Sequence, residues 1–432
     1  MSVSAPAELS EAAKAGGEKS ITRLIVATSI GNALEWYDIT IYGYFAIYVS
    51  KAFFPNDDQA TSLLLTFGTF GLAYLARPIG GIMLGAYADR YGRKASLLIS
   101  IVLMTLGTLA VAVMPTFATI GILAPIAVLL ARLVQGFSAG GEFGSSTAFL
   151  VEHRPEQRGF IASWQFASQG LSNLLASAFG VGLTAWMTPA DLTSWGWRIP
   201  FLFGVLIGPI GIYIRNHLED ATAPPAAQSS PVREVFLHQK FRVLLGIGAL
   251  AISTAVNYLI IYVPTYVVKN FNLAPITGFT ATFVGGIMVT FITPFAGLIS
   301  DRIGRTRHMI AANILLLLSI FPMFLLITKY PTPAVIVFAV FWLSTLKALY
   351  FGPLAALMSE LLPAETRATG LGLGYNIGVT LFGGMGPAIM TWLGGFALIG
   401  DLAPGYYLTA VGILSLGTLL TIHATSAASR EA

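Results

Sequence analysis

The sequence predicts an all-α membrane protein with twelve transmembrane helices, arranged as two parallel six-helix repeats. Three observations support this fold class. Hydrophobic residues make up 55% of the 432 residues and charged residues only 10%, whereas about a quarter of the residues of a soluble protein are charged. Apolar stretches of about 20 residues, the length that crosses the hydrocarbon core of a bilayer, recur along the chain. A short charged motif also occurs once in each half.

The apolar stretches define the predicted spans. They lie at about residues 25–49, 63–87, 95–114, 120–148, 160–184, 197–215, 243–267, 277–299, 308–328, 334–358, 369–393 and 406–424. Residues 1–23 carry charges and no apolar core, so they differ from a cleavable signal peptide and are predicted to form a cytoplasmic tail. A second short tail is predicted at residues 425–432.

Basic residues are distributed unevenly between the predicted connections. Connections after even-numbered spans contain most of the arginines, including Arg90, Arg93, Arg154, Arg158, Arg215, Arg233, Arg302, Arg305 and Arg367. Connections after odd-numbered spans contain little beyond Lys51, Lys269 and Lys329. Cytoplasmic loops carry an excess of Lys and Arg, so both termini are predicted to be cytoplasmic, with the protein in the inner (plasma) membrane. Membrane orientation therefore explains the net charge of +4 better than nucleic-acid binding.

One polar connection divides the spans into two groups of six. Residues 216–241 are rich in Pro, Ala and Ser, which is typical of a linker, and they separate residues 24–215 from residues 242–424. The two halves also share sequence. The matching segments are Asp89-Arg90-Tyr91-Gly92-Arg93 with Asp301-Arg302-Ile303-Gly304-Arg305, and Glu152, Pro155 and Arg158 with Glu360, Pro363 and Arg367. In transporters built from such repeats, the substrate site lies near the membrane midplane between the halves.

The first span contains two carboxylates where lipid would normally lie. In a helix, Asn32, Glu35, Asp38 and Tyr42 share one face, and the opposite face is aliphatic and aromatic. An ionised side chain at the centre of a membrane helix costs roughly 2.5–3.5 kcal/mol, so such residues normally face a cavity or a partner. This face is therefore predicted to border an ion or substrate path.

Charges in other spans balance those of the first. The predicted intramembrane ions are the cations Arg77, Arg132 and Lys347 and the anions Glu35, Asp38 and Glu142. Gln135 and Glu142 share a helical face with Arg132, so this face is predicted to border the same cavity. One alternative is that these ions form fixed pairs that specify packing. For Lys347, a second alternative is that its side chain extends toward a membrane interface.

The repeated motif predicts a gate. Residues 85–94 resemble the loop signature between the second and third helices of the major facilitator superfamily, and residues 297–305 resemble its degenerate second copy. An aspartate at a helix end can bind a helix terminus across the bundle interface, and a glycine permits a tight turn. The predicted gating residues are Asp89, Arg90, Gly92, Arg93, Asp301, Arg302, Gly304 and Arg305. The alternative is that the arginines only anchor the loops at the membrane surface.

Further motifs extend this resemblance over nearly the whole chain. They include residues 31–38, Phe53-Phe54-Pro55, Arg77-Pro78-Ile79-Gly80-Gly81, Arg132-Leu133-Val134-Gln135-Gly136, residues 140–144, residues 195–200, residues 360–363 and Leu381-Phe382-Gly383-Gly384. The sequence resembles the metabolite:proton symporter family, and Ser163-Trp164-Gln165 is similar to the fifth helix of its citrate carriers. No heptads follow the last span, which disfavours the proline and betaine carriers with their C-terminal coiled coil.

The resemblance implies a secondary active transporter that takes up citrate, tricarballylate or another di- or tricarboxylate with protons by alternating access. Its implied partners are the organic anion, protons and the lipid bilayer, without cofactor, metal or catalytic residues. Proton coupling is assigned to Glu35, Asp38 and Glu142. Substrate binding is assigned to Arg77, Arg132, Lys347, Asn32, Tyr37 and Gln135 and, more weakly, to Asn257, Tyr258, Tyr262 and Tyr350.

Other functions stay open at this point. The substrate could instead be shikimate or a zwitterion such as proline or betaine. Glu35 and Asp38 could serve as acid and base in a membrane-embedded enzyme, and a passive channel is a third alternative. The lack of cysteine excludes thiolate metal sites, thiol catalysis and disulfides. The lack of a Walker lysine motif disfavours ATP as the energy source.

Overall fold

A computed structural model describes residues 25–26, 29–91, 93–140, 142–153, 155–218 and 231–431. Twelve long helices run through this part of the chain. They are residues 29–44 continued by Ala46–Phe53 (α1), Gln59–Tyr91 (α2), Arg93–Val113 (α3), Leu123–Ser138 continued by Glu142–His153 (α4), Arg158–Trp186 (α5), Ile199–Leu218 (α6), Lys240–Phe271 (α7), Pro275–Ile303 (α8), Arg305–Lys329 (α9), Pro333–Glu360 (α10), Arg367–Val379 continued through Thr380–Gly384 to Gly386–Leu393 (α11) and Ala403–Glu431 (α12). Each overlaps one predicted span, so the predicted number and order of helices are confirmed.

Seven helices in the described residues are long and apolar enough to cross a membrane by length and composition, namely α2, α3, α7, α8, α9, α10 and α12. The segments Leu123–Ser138 of α4 and Gly196–Ile212, which contains most of α6, are apolar but shorter. Helix α5 is long, but it carries a row of buried serine, glutamine and asparagine side chains. These polar side chains face protein rather than lipid, and they lower the hydropathy of the helix without preventing it from spanning.

Local chemistry sets the ends of several helices. Asp58 precedes α2 and accepts hydrogen bonds from the Thr61 hydroxyl and from the backbone N–H groups of Thr61 and Ala60. These bonds, the Thr61 hydroxyl first, hold the pKa of the Asp58 carboxyl below its usual value. Asn272 ends α7 in the left-handed region with a φ of 51°. Gly304 joins α8 to α9 with a φ of 93°, which explains the glycine of the repeated motif.

Three helices are interrupted inside the bundle. Helix α1 bends at Phe45, α4 is broken after Ser138, and α11 passes through a π-helical turn at Thr380–Gly384. The break in α4 frees the carbonyl of Gly140, which accepts a hydrogen bond of 2.7 Å from the Asn376 amide of α11. Irregular backbone at membrane depth occurs where it is buried in protein or lines a cavity, and π-turns are frequent at functional sites.

The first six helices meet the last six at close crossings. Where α5 crosses α8, a Cβ atom on Gly159 would lie 2.6 Å from the Gly297 carbonyl oxygen. Where α4 crosses α11, a Cβ atom on Gly144 would lie 2.7 Å from the Gly372 backbone nitrogen. No larger residue fits at these positions without moving a backbone. Small residues at helix crossings let membrane helices approach closely.

The predicted linker and tails are partly described. Residues 1–23 and 219–230 lie outside the described residues. The second part of the linker forms a short helix, Pro231–His238, and Gln239 then accepts a hydrogen bond of 2.8 Å from the Thr366 hydroxyl, just before α11. Helix α12 continues to Glu431, beyond the predicted end of the last span. The division into two six-helix domains stays a prediction.

Candidate functional site

Arg132 of α4 is buried, with 2% of its surface exposed. Its Nη1 donates a hydrogen bond of 2.7 Å to Gln135 Oε1, and Gln135 Nε2 donates one of 2.7 Å to the Thr108 hydroxyl of α3. The guanidinium carbon lies 4.2 Å from the centre of the Tyr42 ring of α1. The Nε atom of Arg132 is buried and has no hydrogen-bond partner within the described part of the chain. One face of this cation therefore retains an unused donor.

Asp38 of α1 lies next to this group. Its carboxylate is buried, interacts with the Thr108 side chain and is within electrostatic range of Arg132. Its Oδ1 atom makes no hydrogen bond to any described residue. A Cβ atom on Gly204 of α6 would lie 2.5 Å from this oxygen, so glycine at that position leaves room for the carboxylate. Asp38, Thr108, Gln135 and Arg132 thus form one polar chain between α1, α3 and α4.

Arg77 of α2 lies in an aromatic cage at the centre of the molecule. Its guanidinium carbon is 4.5 Å from the ring centre of Tyr74 and 5.6 Å from that of Trp36. The Tyr258 hydroxyl of α7 donates a hydrogen bond to the Tyr74 hydroxyl, and Tyr375 of α11 also lies within electrostatic range of Arg77. The cage therefore combines α1 and α2 of the first half with α7 and α11 of the second.

Glu35 of α1 lies within electrostatic range of Arg77 and is only partly buried. Asp38, three residues later, is fully buried and within range of Arg132 instead. The two carboxylates predicted on one face of the first helix are thus each associated with a different arginine.

Lys347 of α10 is fully buried, with 0% of its surface exposed. Its Nζ donates a hydrogen bond of 2.6 Å to Oδ1 of Asn257 on α7 and lies 4.5 Å from the centre of the Phe351 ring. Among the described residues, no carboxylate lies within 4 Å of this ammonium group. The structure therefore places Lys347 in the protein interior, bound within the second half.

A polar row on α5 completes the site. Asn32 of α1 donates hydrogen bonds of 2.8 Å to the Gln165 carbonyl and 2.7 Å to the Ser168 hydroxyl. One turn further, Gln169 donates a hydrogen bond of 3.1 Å to the Tyr375 hydroxyl of α11. Asn32 thus holds α1 against α5, and Gln169 connects the two halves beside the Arg77 cage.

Three predicted tyrosines hold helices together rather than meeting in this cluster. The Tyr37 hydroxyl donates a hydrogen bond of 2.9 Å to the Pro200 carbonyl of α6. The Tyr350 hydroxyl donates one of 2.6 Å to the Ala249 carbonyl of α7. The Tyr262 hydroxyl accepts one of 3.3 Å from Thr391 of α11. Tyr262, which belongs to the second half, also contacts the first half, through its ring against Phe67 at 5.4 Å.

The sequence reasoning missed most of the aromatic cage. Trp36, Tyr74 and Tyr375 are absent from the predicted site, although all three are buried around Arg77. Two of them had a local signal: Tyr74 lies three residues before Arg77 on α2, and Trp36 directly follows Glu35. Tyr375 comes from α11, and only the tertiary structure brings it to Arg77.

A second polar cluster closes one end of the molecule, the end at which α4 stops and α5 begins, here called the charged face. Asp301 at the end of α8 accepts hydrogen bonds from the backbone N–H groups of Gly159 (2.9 Å) and Phe160 (3.0 Å) in the first turn of α5. It also pairs with Arg305 at 2.9 Å, and Arg305 in turn lies 3.3 Å from Glu360. This aspartate therefore caps a helix of the opposite half.

A second contact across the halves at the charged face is the ion pair of 3.1 Å between Arg367 of α11 and Glu152 of α4. The first copy of the motif is described only in part: Arg90 is exposed and lies 5.4 Å from the centre of the Tyr91 ring, and Arg302 of the second copy is also exposed. Gly92 and the side chains of Asp89, Arg93 and Glu142 lie outside the described residues.

The arrangement suits anion binding at the centre. Arg77, Arg132 and Lys347 are all buried, and none of them forms an ion pair within 4 Å in the described part of the chain. Buried charges are normally paired, so each of these cations favours a nearby negative charge. Arg77 and Arg132 lie within electrostatic range of each other, whereas Lys347 is bound to Asn257 within the second half. No group of three histidine, aspartate or glutamate side chains among the described residues is placed to hold a metal ion.

The sequence of this chain matches a known protein family. The model of the Major Facilitator Superfamily matches residues 28–387. A citrate-proton symporter of Klebsiella pneumoniae is 36% identical over 438 residues, which cover 100% of this chain and 98% of that protein. A citrate-proton symporter of Salmonella typhi is 35% identical and covers 91% of this chain and 92% of its own. A proline/betaine transporter of Salmonella typhimurium is 32% identical and covers 94% of this chain and 84% of its own.

Solved structures of a xylose transporter resemble the overall fold. The proton:xylose symporter XylE bound to 6-bromo-6-deoxy-D-glucose superposes with a TM-score of 0.76 at 15% identity, covering 94% of this chain and 96% of that chain. A partially occluded inward open form of XylE from E. coli gives a TM-score of 0.73, also at 15% identity. At this identity the likeness establishes the fold alone.

Proposed function

The chain belongs to the Major Facilitator Superfamily, and we propose that it is a proton-coupled importer of an organic carboxylate. As a member of this family it is a multi-pass membrane transporter and not an enzyme. The proposal concerns the substrate, the coupling ion and the residues that bind them.

One observation carries the proposal: Arg77, Arg132 and Lys347 are buried between the helices and none has an ion-pair partner within 4 Å among the described residues. A guanidinium group binds a carboxylate with two parallel hydrogen bonds, and an ammonium group adds a point charge. The unused Nε donor of Arg132 supports a further ligand on this side chain. A di- or tricarboxylate such as citrate or tricarballylate would satisfy these cations.

The choice between carboxylate and zwitterion follows from the same charges. Two relatives are named as citrate-proton symporters and a third as a proline/betaine transporter. Proline and betaine each carry one carboxylate and one positive charge, so they would offset only one of the three buried cations and would add a positive charge of their own. The three cations therefore favour a polyanion.

Proton coupling is assigned to the carboxylates beside the arginines. Burial disfavours the charged form of a carboxyl group, and a nearby cation favours it, so binding an anion to Arg77 or Arg132 changes the balance for Glu35 or Asp38. In the proposed cycle one of these groups takes up a proton outside, the substrate binds, and both are released inside. Glu142 is a further candidate for this role.

Alternating access is assigned to movement of the two halves against each other. Asp301 and the Arg367–Glu152 pair join the halves at the charged face. In this structure the halves also touch at the opposite face, where the rings of Phe45 and Phe279 lie 5.2 Å apart. The proposed gating residues of the motif would release the charged face when substrate and proton are bound.

The test is transport in proteoliposomes. An inside-alkaline pH gradient should drive accumulation of labelled citrate or tricarballylate, and a protonophore should abolish it. Unlabelled citrate on the opposite side should also exchange with the label, with saturation, as expected of a carrier and not of a channel. Accumulation of proline or betaine in place of citrate would contradict the carboxylate assignment, and uptake indifferent to the gradient would contradict proton coupling.

The variant Glu35→Gln examines the coupling residue in the same assay. We expect it to lose gradient-driven accumulation and to retain some exchange, since the amide occupies the same space and cannot carry the proton. Asp38→Asn serves as the paired variant, because the two carboxylates are associated with different arginines. Normal accumulation by Glu35→Gln together with failure of Asp38→Asn would assign coupling to Asp38.

A further inference from the structure

Lys347 differs from the other buried cations in its surroundings. Arg77 has Glu35 within electrostatic range, and Arg132 has Asp38. Lys347 has a single hydrogen bond, to the neutral amide of Asn257 at 2.6 Å, and the face of the Phe351 ring. It is also completely buried. In the described part of the chain, this ammonium group has no anion to offset the loss of its water.

The described residues of the helices packed against α10 place no carboxylate within 4 Å of Lys347. Helix α5 from residue 159 onward and α8 from residue 275 to residue 300 contain no ionisable side chain. On α9, His308 is hydrogen-bonded to the Leu349 carbonyl at 2.9 Å. On α7, the hydroxyl groups of Tyr258 and Tyr262 bind Tyr74 and Thr391. These groups are neutral or can only add positive charge. Helix α10 also packs against α4 and α11. There Glu152 is paired with Arg367, the Tyr375 hydroxyl accepts a hydrogen bond from Gln169, and the side chain of Glu142 lies outside the described residues.

Lys347 also differs from Arg77 and Arg132 in its acid–base chemistry. Guanidinium groups stay protonated in proteins, so Arg77 and Arg132 cannot release a proton. A lysine changes its protonation state readily when it is buried. A neutral amine at this site can still donate a hydrogen bond to Asn257, and it carries no uncompensated charge. A carboxylate that binds beside the amine favours its charged form.

We propose that Lys347 is a substrate-linked proton site, which is neutral in the empty carrier and takes up one proton when a substrate carboxylate binds beside it. The proposal rests on the proposed transport of an organic carboxylate. On binding, the nitrogen lone pair forms an N–H bond with a proton delivered from water. On release inside, that bond breaks and the proton returns to water with the departure of the anion. Each cycle then moves one proton through Lys347 in addition to any carried by Glu35 or Asp38.

The experiment counts protons taken up per bound citrate. Purified protein in detergent at pH 7 is titrated with citrate by calorimetry in two buffers of different ionisation enthalpy, which yields the number of protons bound with the ligand. We expect Lys347→Met and Lys347→Arg each to take up one proton fewer per citrate than the unmodified protein. The arginine variant keeps a permanent charge for the carboxylate and is expected to bind citrate.

The control is Lys329→Met, which removes an exposed lysine at the end of α9 and should leave the proton count unchanged. Gel filtration verifies that each variant is folded. An unchanged count in Lys347→Arg or Lys347→Met overturns the inference, as does loss of citrate binding by folded Lys347→Arg. If the unmodified protein binds neither citrate nor tricarballylate, the proposed function itself is rejected and the inference with it. If the variants take up the normal number of protons and still show gradient-driven uptake, the proposed function stands and only the proton role of Lys347 is rejected.

Discussion

At the residue scale, the two buried arginines are held by aromatic rings and amides, which leave their charge available. Arg132 rests on Tyr42 at 4.2 Å and Arg77 on Tyr74 at 4.5 Å. Cation–π contacts of this kind contribute about 0.5–2 kcal/mol, so they position the guanidinium without neutralising it. A full ion pair with a protein carboxylate would compete with an anionic substrate. The aromatic support therefore fits a binding role for both residues.

Arg132→Lys should weaken substrate binding. The ammonium group cannot form two parallel hydrogen bonds to a carboxylate or stack flat on Tyr42. Hydrogen bonds to charged groups contribute about 1.5–3 kcal/mol, so we expect the half-saturation concentration for citrate exchange to rise about tenfold or more. The measurement is the concentration dependence of exchange in proteoliposomes.

The matched control is Arg198→Lys. Arg198 also rests on an aromatic ring, Trp197 at 4.3 Å, and donates a hydrogen bond of 2.7 Å to the Met114 carbonyl, but it lies at the start of α6, outside the cluster. We expect its half-saturation concentration to be unchanged. Equal effects of the two substitutions would show that Arg132 acts through packing alone.

At the scale of the helix, the contact between Asp301 and α5 explains one copy of the repeated motif. The first N–H groups of a helix have no partner in the helix itself, and they carry a partial positive charge. Asp301 supplies a carboxylate to Gly159 and Phe160 from the other half of the molecule. Gly159 is also a position where a Cβ atom would collide with α8. Charge and close packing thus act at the same crossing.

Asp301→Asn should open the charged face more often. Loss of the charge at a helix N-terminus costs about 0.3–1 kcal/mol, which corresponds to a roughly two- to fivefold larger open population. The chain contains no cysteine, so a single Ser163→Cys, buried on α5 against Gly297, reports opening cleanly. We expect a maleimide reagent to label this thiol roughly two- to fivefold faster in the Asp301→Asn background.

Asp58→Asn provides the comparison. Asp58 also caps a helix N-terminus, but its hydrogen-bond partners Ala60 and Thr61 belong to its own half, at the opposite face, where it also lies within electrostatic range of Lys269. It should leave the labelling rate at residue 163 unaltered. An unaltered labelling rate in Asp301→Asn as well would contradict the proposal that Asp301 holds the charged face closed.

At the scale of the whole molecule, the halves touch at both faces around the buried cluster. The charged face is joined by Arg367 and Glu152, and the opposite face by Phe45 and Phe279. An exposed ion pair contributes at most about 1 kcal/mol, so the Arg367–Glu152 pair can open and close easily. Transport by rocking requires this separation, whereas contacts within one half need not change.

Cross-linking tests the movement. In the double variant Glu152→Cys with Arg367→Cys, a short bifunctional thiol reagent containing a disulfide should stop citrate uptake, and cleavage by a reductant should restore it. The reason is that these side chains, 3.1 Å apart, belong to different halves. The pair Asn270→Cys with Asp401→Cys, whose side chains are 2.6 Å apart within the second half, should tolerate the same treatment. Uptake that continues in the cross-linked first pair would rule out opening of the charged face.

Local sequence properties predict the helices and the charges that they carry. Span length and hydropathy are local properties, so all twelve predicted spans overlap observed helices. Helical periodicity also placed Asn32, Glu35 and Asp38 on the interior side of α1, and the repeated motif identified the aspartate that caps α5. These predictions needed only the geometry of a helix and the cost of ions in lipid.

Which of these groups meet depends on the tertiary structure. It separated Glu35 from Asp38 by placing each within electrostatic range of a different arginine, and it joined Lys347 to Asn257, 90 residues away in the chain. It also brought Tyr375 to Arg77 and directed Tyr37 to the α6 backbone. The physical reason is that periodicity fixes the face a residue shares, whereas the rotation and crossing of each helix depend on packing against its neighbours.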